Sequence, residues 1–312
     1  MGAKNLQHGP LEALITASEE TGMYGAFGLK PGVLQGDILL NLDSETEGEL
    51  YVGCAGGLDL NVTLKYKEVS IPAGYVAQKI DVKGLLGGHS GIEIILERGN
   101  ANKIMARLLL KAQKEVGLRL AAIDGGGLRN AIPREAIATV MVPEAQVESL
   151  SKLVKTIAET VSAELKEVDD NVTILLSDTA IPASVMDLDS QNRLLNAIQG
   201  CPNGVFRMSP SIKGLVQTST NLARVVSENG TIRMQALLRS SVDSEKEYLA
   251  ETMSSVFTLA GAEVTPSGGY SGWNPDMSSP ILKTMIESYE ALYGQEPAVM
   301  AIHAGLECGI IG

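Results

Sequence analysis

From about Gly57 onward the chain alternates between strand-like and helix-like segments with little left over, which restricts it to a layered architecture of strands and helices. VTLKYK and YVAQKIDVKGL read as strands, NANKIMARLLLKAQKEVG as a helix, LRLAAIDGG and AIATVMV as strands, VESLSKLVKTIAETVSAELKEV as a long helix and NVTILLS as a strand. In the long helix Val147, Leu150, Leu153, Val154, Ile157, Val161 and Leu165 recur at three- and four-residue spacings, which predicts one buried face. A shorter round follows: helix SQNRLLNAIQG, strand LVQTSTNLARVVS, strand TIRMQALLRS, helix EKEYLAETMSSVFTLAG and AEVTPSG. Asn229-Gly230 between two alternating runs predicts a hairpin. Residues 57–268 therefore read as two α+β lobes.

The flanks have another character. PLEALIT (10–16) and DILLNL (37–42) are short apolar runs that read as neighbouring parallel strands, with GMYGAFGLKPGVLQG as a short crossover. After Gly268-Gly269 come a loop, YSGWNPDMSSP, a helix, SPILKTMIESYEALYG, and a strand, PAVMAI. The expected fold class is α/β: a partial domain of mostly parallel sheet with helices (1–56 and 269–312), interrupted by a two-lobed α+β domain (57–268). With 312 residues, 45% of them hydrophobic, both parts can bury a core.

Charge and cysteines narrow the function. A net charge of −12 and the absence of any Lys/Arg block argue against nucleic acid as a partner. Cys54, Cys201 and Cys308 are far apart and odd in number, which suggests neither a disulfide framework nor a thiolate zinc site and suits a reducing cytoplasm. No apolar run approaches the ~20 residues of a membrane span.

In an open α/β sheet ligands gather beyond the carboxyl ends of strands, where this reading puts Glu19, Glu20 and Asp43. Adjacent residues of extended chain point opposite ways, so one carboxylate can bind a cation while the other faces a bound water. Metal-assisted hydrolysis needs that division of labour, although solvated loop acids give the same pattern. Zinc usually takes imidazole as well. His8 precedes the first strand and falls roughly 20 Å from Glu20, at the wrong end. His303 follows PAVMAI at the right edge, as a site residue or as a turn residue bonded to backbone. His89 sits in LLGGHSGIE, where glycines expose the ring. Arg239, ending TIRMQALLRS, is placed to clamp a carboxylate or to form a surface ion pair. GGGLRNAIPRE lacks the strand-turn-helix context of a dinucleotide site, and Ser18 and Ser90 have no triad partner.

Taken together, HGPLEALITASEETGMYGAFGL, ILLNLDSETEGELYVGCAGG, GLLGGHSGIEI, GGGLRNAIPREA and IHAGLECGI resemble, in order and from about residue 5 to 312, the aminoacyl-histidine dipeptidases. These Xaa-His or β-alanyl-histidine dipeptidases belong to the di-zinc aminoacylase/carboxypeptidase superfamily. The resemblance implies a cytoplasmic zinc hydrolase of small peptides such as carnosine, with Glu19 as general base and Glu20 and Asp43 as ligands of two different zinc ions. It implies that His89 reaches from the inserted lid domain to support the oxyanion, that Arg239 holds the substrate carboxylate, and that Asn130 is a lid contact. His303 joins Arg239 and Asn130 as a substrate-binding candidate, and a homodimer is the default assembly. Members of that family also carry a His-x-Asp segment, a bridging Asp and a further histidine ligand. Three of five metal ligands are thus not found here, the chain is expected to be truncated at both ends, and Glu20 and Asp43 alone should bind zinc poorly. The alternatives are a non-catalytic product whose lid binds a peptide or partner, and a related metal-dependent deacylase.

Overall fold

The structure is a computed structural model that describes residues 8–44 and 46–312, without the side chains of Glu20 and Thr21. The chain enters through two single-turn helices, α1 (Glu19–Gly22) and α2 (Tyr24–Phe27), and then forms β1 (Glu49–Cys54). Neither 10–16 nor 37–42, both expected to be strands, adopts strand geometry. Leu11, Ile15, Ile38 and Leu42 are 70, 92, 60 and 93% exposed, so their side chains are not buried in a core of this chain. A strand also needs a neighbour to receive its N–H and C=O groups, and these two runs have none among the described residues.

The middle of the chain contributes strands β2 (Gly56–Lys65), β3 (Glu68–Val69), β4 (Tyr75–Lys83), β5 (Arg119–Gly126), β6 (Ala136–Pro143), β7 (Thr173–Asp178) and β8 (Val185–Met186). Strands β9 (Gly204–Met208), β10 (Val216–Glu228), β11 (Thr231–Ser240) and β12 (Glu263–Tyr270) follow. Nine of them form one sheet in the order β12-β2-β11-β10-β5-β6-β4-β7, with β9 also paired to β10. Every pairing within it is antiparallel. The two rounds of the sequence share this sheet, because β10 pairs with β5 and the early strand β2 lies between the late strands β11 and β12. The short β3 and β8 pair separately.

Four helices, α3 (Ala101–Val116), α4 (Val147–Leu165), α5 (Leu188–Gly200) and α6 (Asp243–Leu259), cover one face of the sheet. Their apolar stripes and every second residue of the strands, such as Leu60, Val62 and Leu64 of β2, form one continuous core. In α4 the buried positions are Leu150, Leu153, Val154, Ile157 and Val161, the stripe its spacing predicts. The N-terminus of α3 is capped by Asn100, whose side chain accepts from the Asn102 and Lys103 amides. Asn229 and Gly230 both have positive φ, 49° and 70°, and close the predicted hairpin between β10 and β11.

The chain ends with α7 (Pro280–Tyr293), β13 (Ala298–Ile302) and α8 (Cys308–Ile311). Strand β13 pairs with β1 in parallel, Glu49 opposite Ala298 and Tyr51 opposite Met300. Among the described residues no helix is long and apolar enough to cross a membrane.

Candidate functional site

Strand register builds the first half of the site. Ser219 of β10 pairs with Arg239 of β11, Arg239 with Gly57 of β2, and Gly57 with Tyr270 of β12. Paired residues share a face. Leu238 belongs to the helix-covered core, so the alternation of β11 puts Arg239 on the opposite face. Gly57 leaves a gap in this row: a Cβ there would lie 2.5 Å from the Tyr270 ring. Across the gap Arg239 Nη1 donates to Tyr270 Oη at 3.1 Å, and Ser219 Oγ and His303 Nε2 share a hydrogen bond of 2.7 Å.

His89 arrives from further away. It follows β4, which is four places from β11 in the sheet, roughly 19 Å at ordinary strand spacing. The connection 84–89 is bent, with positive φ at Gly84, Gly87 and Gly88, and runs to the loop between β5 and β6. It is fastened on the way, since the Ser90 amide donates to Asn130 O at 2.8 Å and His89 bridges to Ala131. Asn221 Nδ2 in turn donates to Ala131 O at 2.8 Å.

The local turn sets the histidine's protonation. Its Nδ1 accepts the backbone amides of Gly91 and Ile92 at 3.2 and 3.1 Å, so the neutral ring carries its proton on Nε2. Burial pushes the His89 pKa down and the Arg239 charge adds to this, against an opposing pull from Glu93. Glu93 accepts the His89 amide at 2.7 Å and is itself paired with Arg98 at 2.8 Å. The His89, Arg239 and His303 residues meet around Gly91. A Cβ there would lie 2.3 Å from His303 O, 3.0 Å from His89 Cε1 and 3.1 Å from Arg239 Nε, so only glycine permits this approach. His303 is only 6% exposed, and burial, with Arg239 beside it, holds its pKa down at about 3. It is a neutral ring throughout the ordinary pH range.

The structure thus brings His89, Arg239 and His303 together. Asn130 contributes its backbone carbonyl to the His89 loop while its own side chain is exposed. Glu19 opens α1, and the turn is seated by Met23, whose amide donates to Glu19 O at 3.1 Å and whose Cε lies 3.1 Å from the point a Cβ on Gly305 would occupy. The Tyr270 ring meets the same point at 3.0 Å, so the Glu19 turn packs beside the Arg239 row. The Glu20 side chain lies outside the described residues. Asp43 is exposed and lines a cleft of about 590 Å³ along β1, with Tyr51, Trp273, Leu282 and Cys308 among its walls and none of His89, Arg239 or His303. Among the described residues no three His, Cys, Asp or Glu side chains converge as a metal-binding group. Zinc commonly takes four ligands, so the described side chains do not by themselves make a zinc centre. Ser219, Gly57, Tyr270, Gly91 and Glu93 escaped sequence reasoning. Four of them act through strand register or close approach, which carry no local signal; Glu93, four residues after His89, was open to recognition as a turn-closing acid.

Comparison with known proteins fits this picture. Residues 80–169 match the family model for the peptidase dimerisation domain. The cytosol non-specific dipeptidase of Escherichia coli (strain K12) is 44% identical over 307 residues, 98% of this chain and 63% of that protein. The crystal structure of an aminoacylhistidine dipeptidase from Vibrio alginolyticus matches with a TM-score of 0.95 and 44% identity, over 99% of this chain and 63% of that one. The chain spans 63% of the length of each of these relatives. By sequence and by fold the chain is similar to an aminoacylhistidine dipeptidase and to a cytosol non-specific dipeptidase, and its residues 80–169 are similar to the peptidase dimerisation domain.

Proposed function

We propose that the whole protein is a metal-dependent dipeptidase acting on Xaa-His dipeptides of the carnosine kind, and that this chain supplies the groups that grip the substrate and stabilise its transition state. The observation that carries the reading is the His89 imidazole, neutral, with Nδ1 occupied by two backbone amides and Nε2–H left as a donor beside Arg239. Such a donor, fixed before the reaction, suits the oxyanion that develops on a scissile carbonyl. Arg239 holds the terminal carboxylate of the peptide, with His303 and Asn130 lining the same pocket. Glu19 takes a proton from the attacking water as general base. Glu20 and Asp43 are proposed as ligands, one to each of two zinc ions in the complete site. When bound, such a metal supplies a polarised carbonyl and a water acidified to near neutrality.

The dimerisation-domain match supports a homodimer, and the cytosolic relative supports a cytoplasmic location. The decisive experiment is steady-state hydrolysis of carnosine by the full-length protein and its His89→Gln and His89→Ala variants. Loss of an oxyanion donor lowers kcat by about 10²- to 10³-fold, with KM little changed. A kcat equal to wild type in both variants would remove His89 from the reaction. Dipeptide binding without any turnover in the zinc-loaded protein would instead identify a non-catalytic peptide binder.

A further inference from the structure

The guanidinium of Arg239 is not free to meet a carboxylate from any direction. It is 6% exposed, its Nη1 is committed to Tyr270 Oη at 3.1 Å, and its Nε is buried without a hydrogen-bond partner. A planar guanidinium offers two bidentate edges, the tip formed by Nη1 and Nη2 and the side formed by Nε and Nη2. Tyr270 takes one of the two nitrogens of the tip. The unpartnered Nε lies 3.1 Å from the point a Cβ on Gly91 would take, and His89 Cε1 lies 3.0 Å from that point, so the side edge packs on Gly91 on the side of His89.

Tyr270 is itself held firmly. Lys246 Nζ donates to Tyr270 O at 2.5 Å and to Asp243 Oδ1 at 2.6 Å, and that lysine is only 6% exposed. The ring lies in the space that Gly57 leaves open and packs on Gly305. We propose that Tyr270 is a positioning residue for Arg239: it takes Nη1 out of play and turns the Nε–Nη2 edge toward His89, where that edge receives the terminal carboxylate of the substrate. The inference rests on the reading of Arg239 as the carboxylate clamp. It adds that selectivity for a free C-terminus over a C-terminal amide depends on a residue that never touches the substrate. An amide presents one acceptor and one donor to two parallel N–H groups, and so loses half of the bidentate pair.

The test measures kcat/KM of the full-length protein for a dipeptide and for its C-terminal amide, and reads the ratio of the two. In wild type the ratio favours the free acid. Arg239→Ala brings it to near one, and Arg239→Lys does the same, because an ammonium has no Nε–Nη2 edge. Tyr270→Phe lowers the ratio about tenfold, chiefly through KM for the free acid, as expected for one lost hydrogen bond to a charged group. A ratio unchanged in Arg239→Ala overturns the clamp itself, and the present inference with it. A collapsed ratio in Arg239→Ala alongside a wild-type ratio in Tyr270→Phe overturns the role of Tyr270 alone. Retention of the ratio within twofold by Arg239→Lys overturns the side-edge geometry, and this arm does not depend on whether Tyr270→Phe folds.

Discussion

The large sheet and the segment 8–44 carry apolar runs of similar quality, yet only the first set became strands. In β2 the residues Leu60, Val62 and Leu64 are at most 2% exposed, whereas in 10–16 and 37–42 no apolar side chain is buried and most are exposed. The runs in the sheet find two things inside the chain, a partner ladder on at least one side and a helical layer above. The flanking runs find neither among the described residues. An apolar pattern states what a segment needs to bury; whether it forms a strand is decided by what the rest of the chain offers.

This contrast divides the candidate site, and experiments can strain it. The largest effect is expected on the poorly packed side: Glu19→Ala in the full-length protein should lower kcat about 10²- to 10⁴-fold, and unchanged turnover would confine the chemistry to the sheet. In the well-packed region Leu120→Ala, at a fully buried position of β5, should cost about 2–5 kcal/mol in denaturant unfolding. His303 gives an intermediate, pH-dependent effect. Its pKa of about 3 in the folded chain is below the ordinary 6.5, so the unfolded chain binds the proton more readily. Stability is then lost as pH falls from about 6.5 toward 3, by at most about 1.4 kcal/mol per pH unit, and becomes level below. A His303→Gln variant should show a shallower fall than wild type in urea midpoints measured across that range. The smallest effect belongs to Ile15→Ser, which should shift stability by less than about 0.5 kcal/mol because Ile15 is 92% exposed. A large loss there would show that 10–16 packs on something after all.

Most helices and strands between 57 and 268 were legible because each advertises itself locally, by the stripe of α4 or the Asn229-Gly230 turn. His89 and Arg239 were legible through glycine-rich context and position at a strand end, together with the resemblance of whole blocks. The row of Ser219, Arg239, Gly57 and Tyr270 was not. Register between strands far apart in sequence is a property of the assembled sheet, and no window of one sequence contains it. The reading of Glu19, Glu20 and Asp43 as acids beyond strand ends rested on strands the structure lacks. The Glu19 turn is seated instead by Met23 against Gly305, a contact spanning most of the chain.

The connection 84–89 holds its histidine by backbone rather than by side chain. Gly88 O accepts the Ile132 amide and the Ser90 amide donates to Asn130 O, so the backbone on either side of the histidine is tied to the loop between β5 and β6. A displacement of that loop would carry the imidazole with it. The histidine is therefore moored to its neighbouring loop at two points, as a boat tied fore and aft keeps its heading whatever the length of rope behind it.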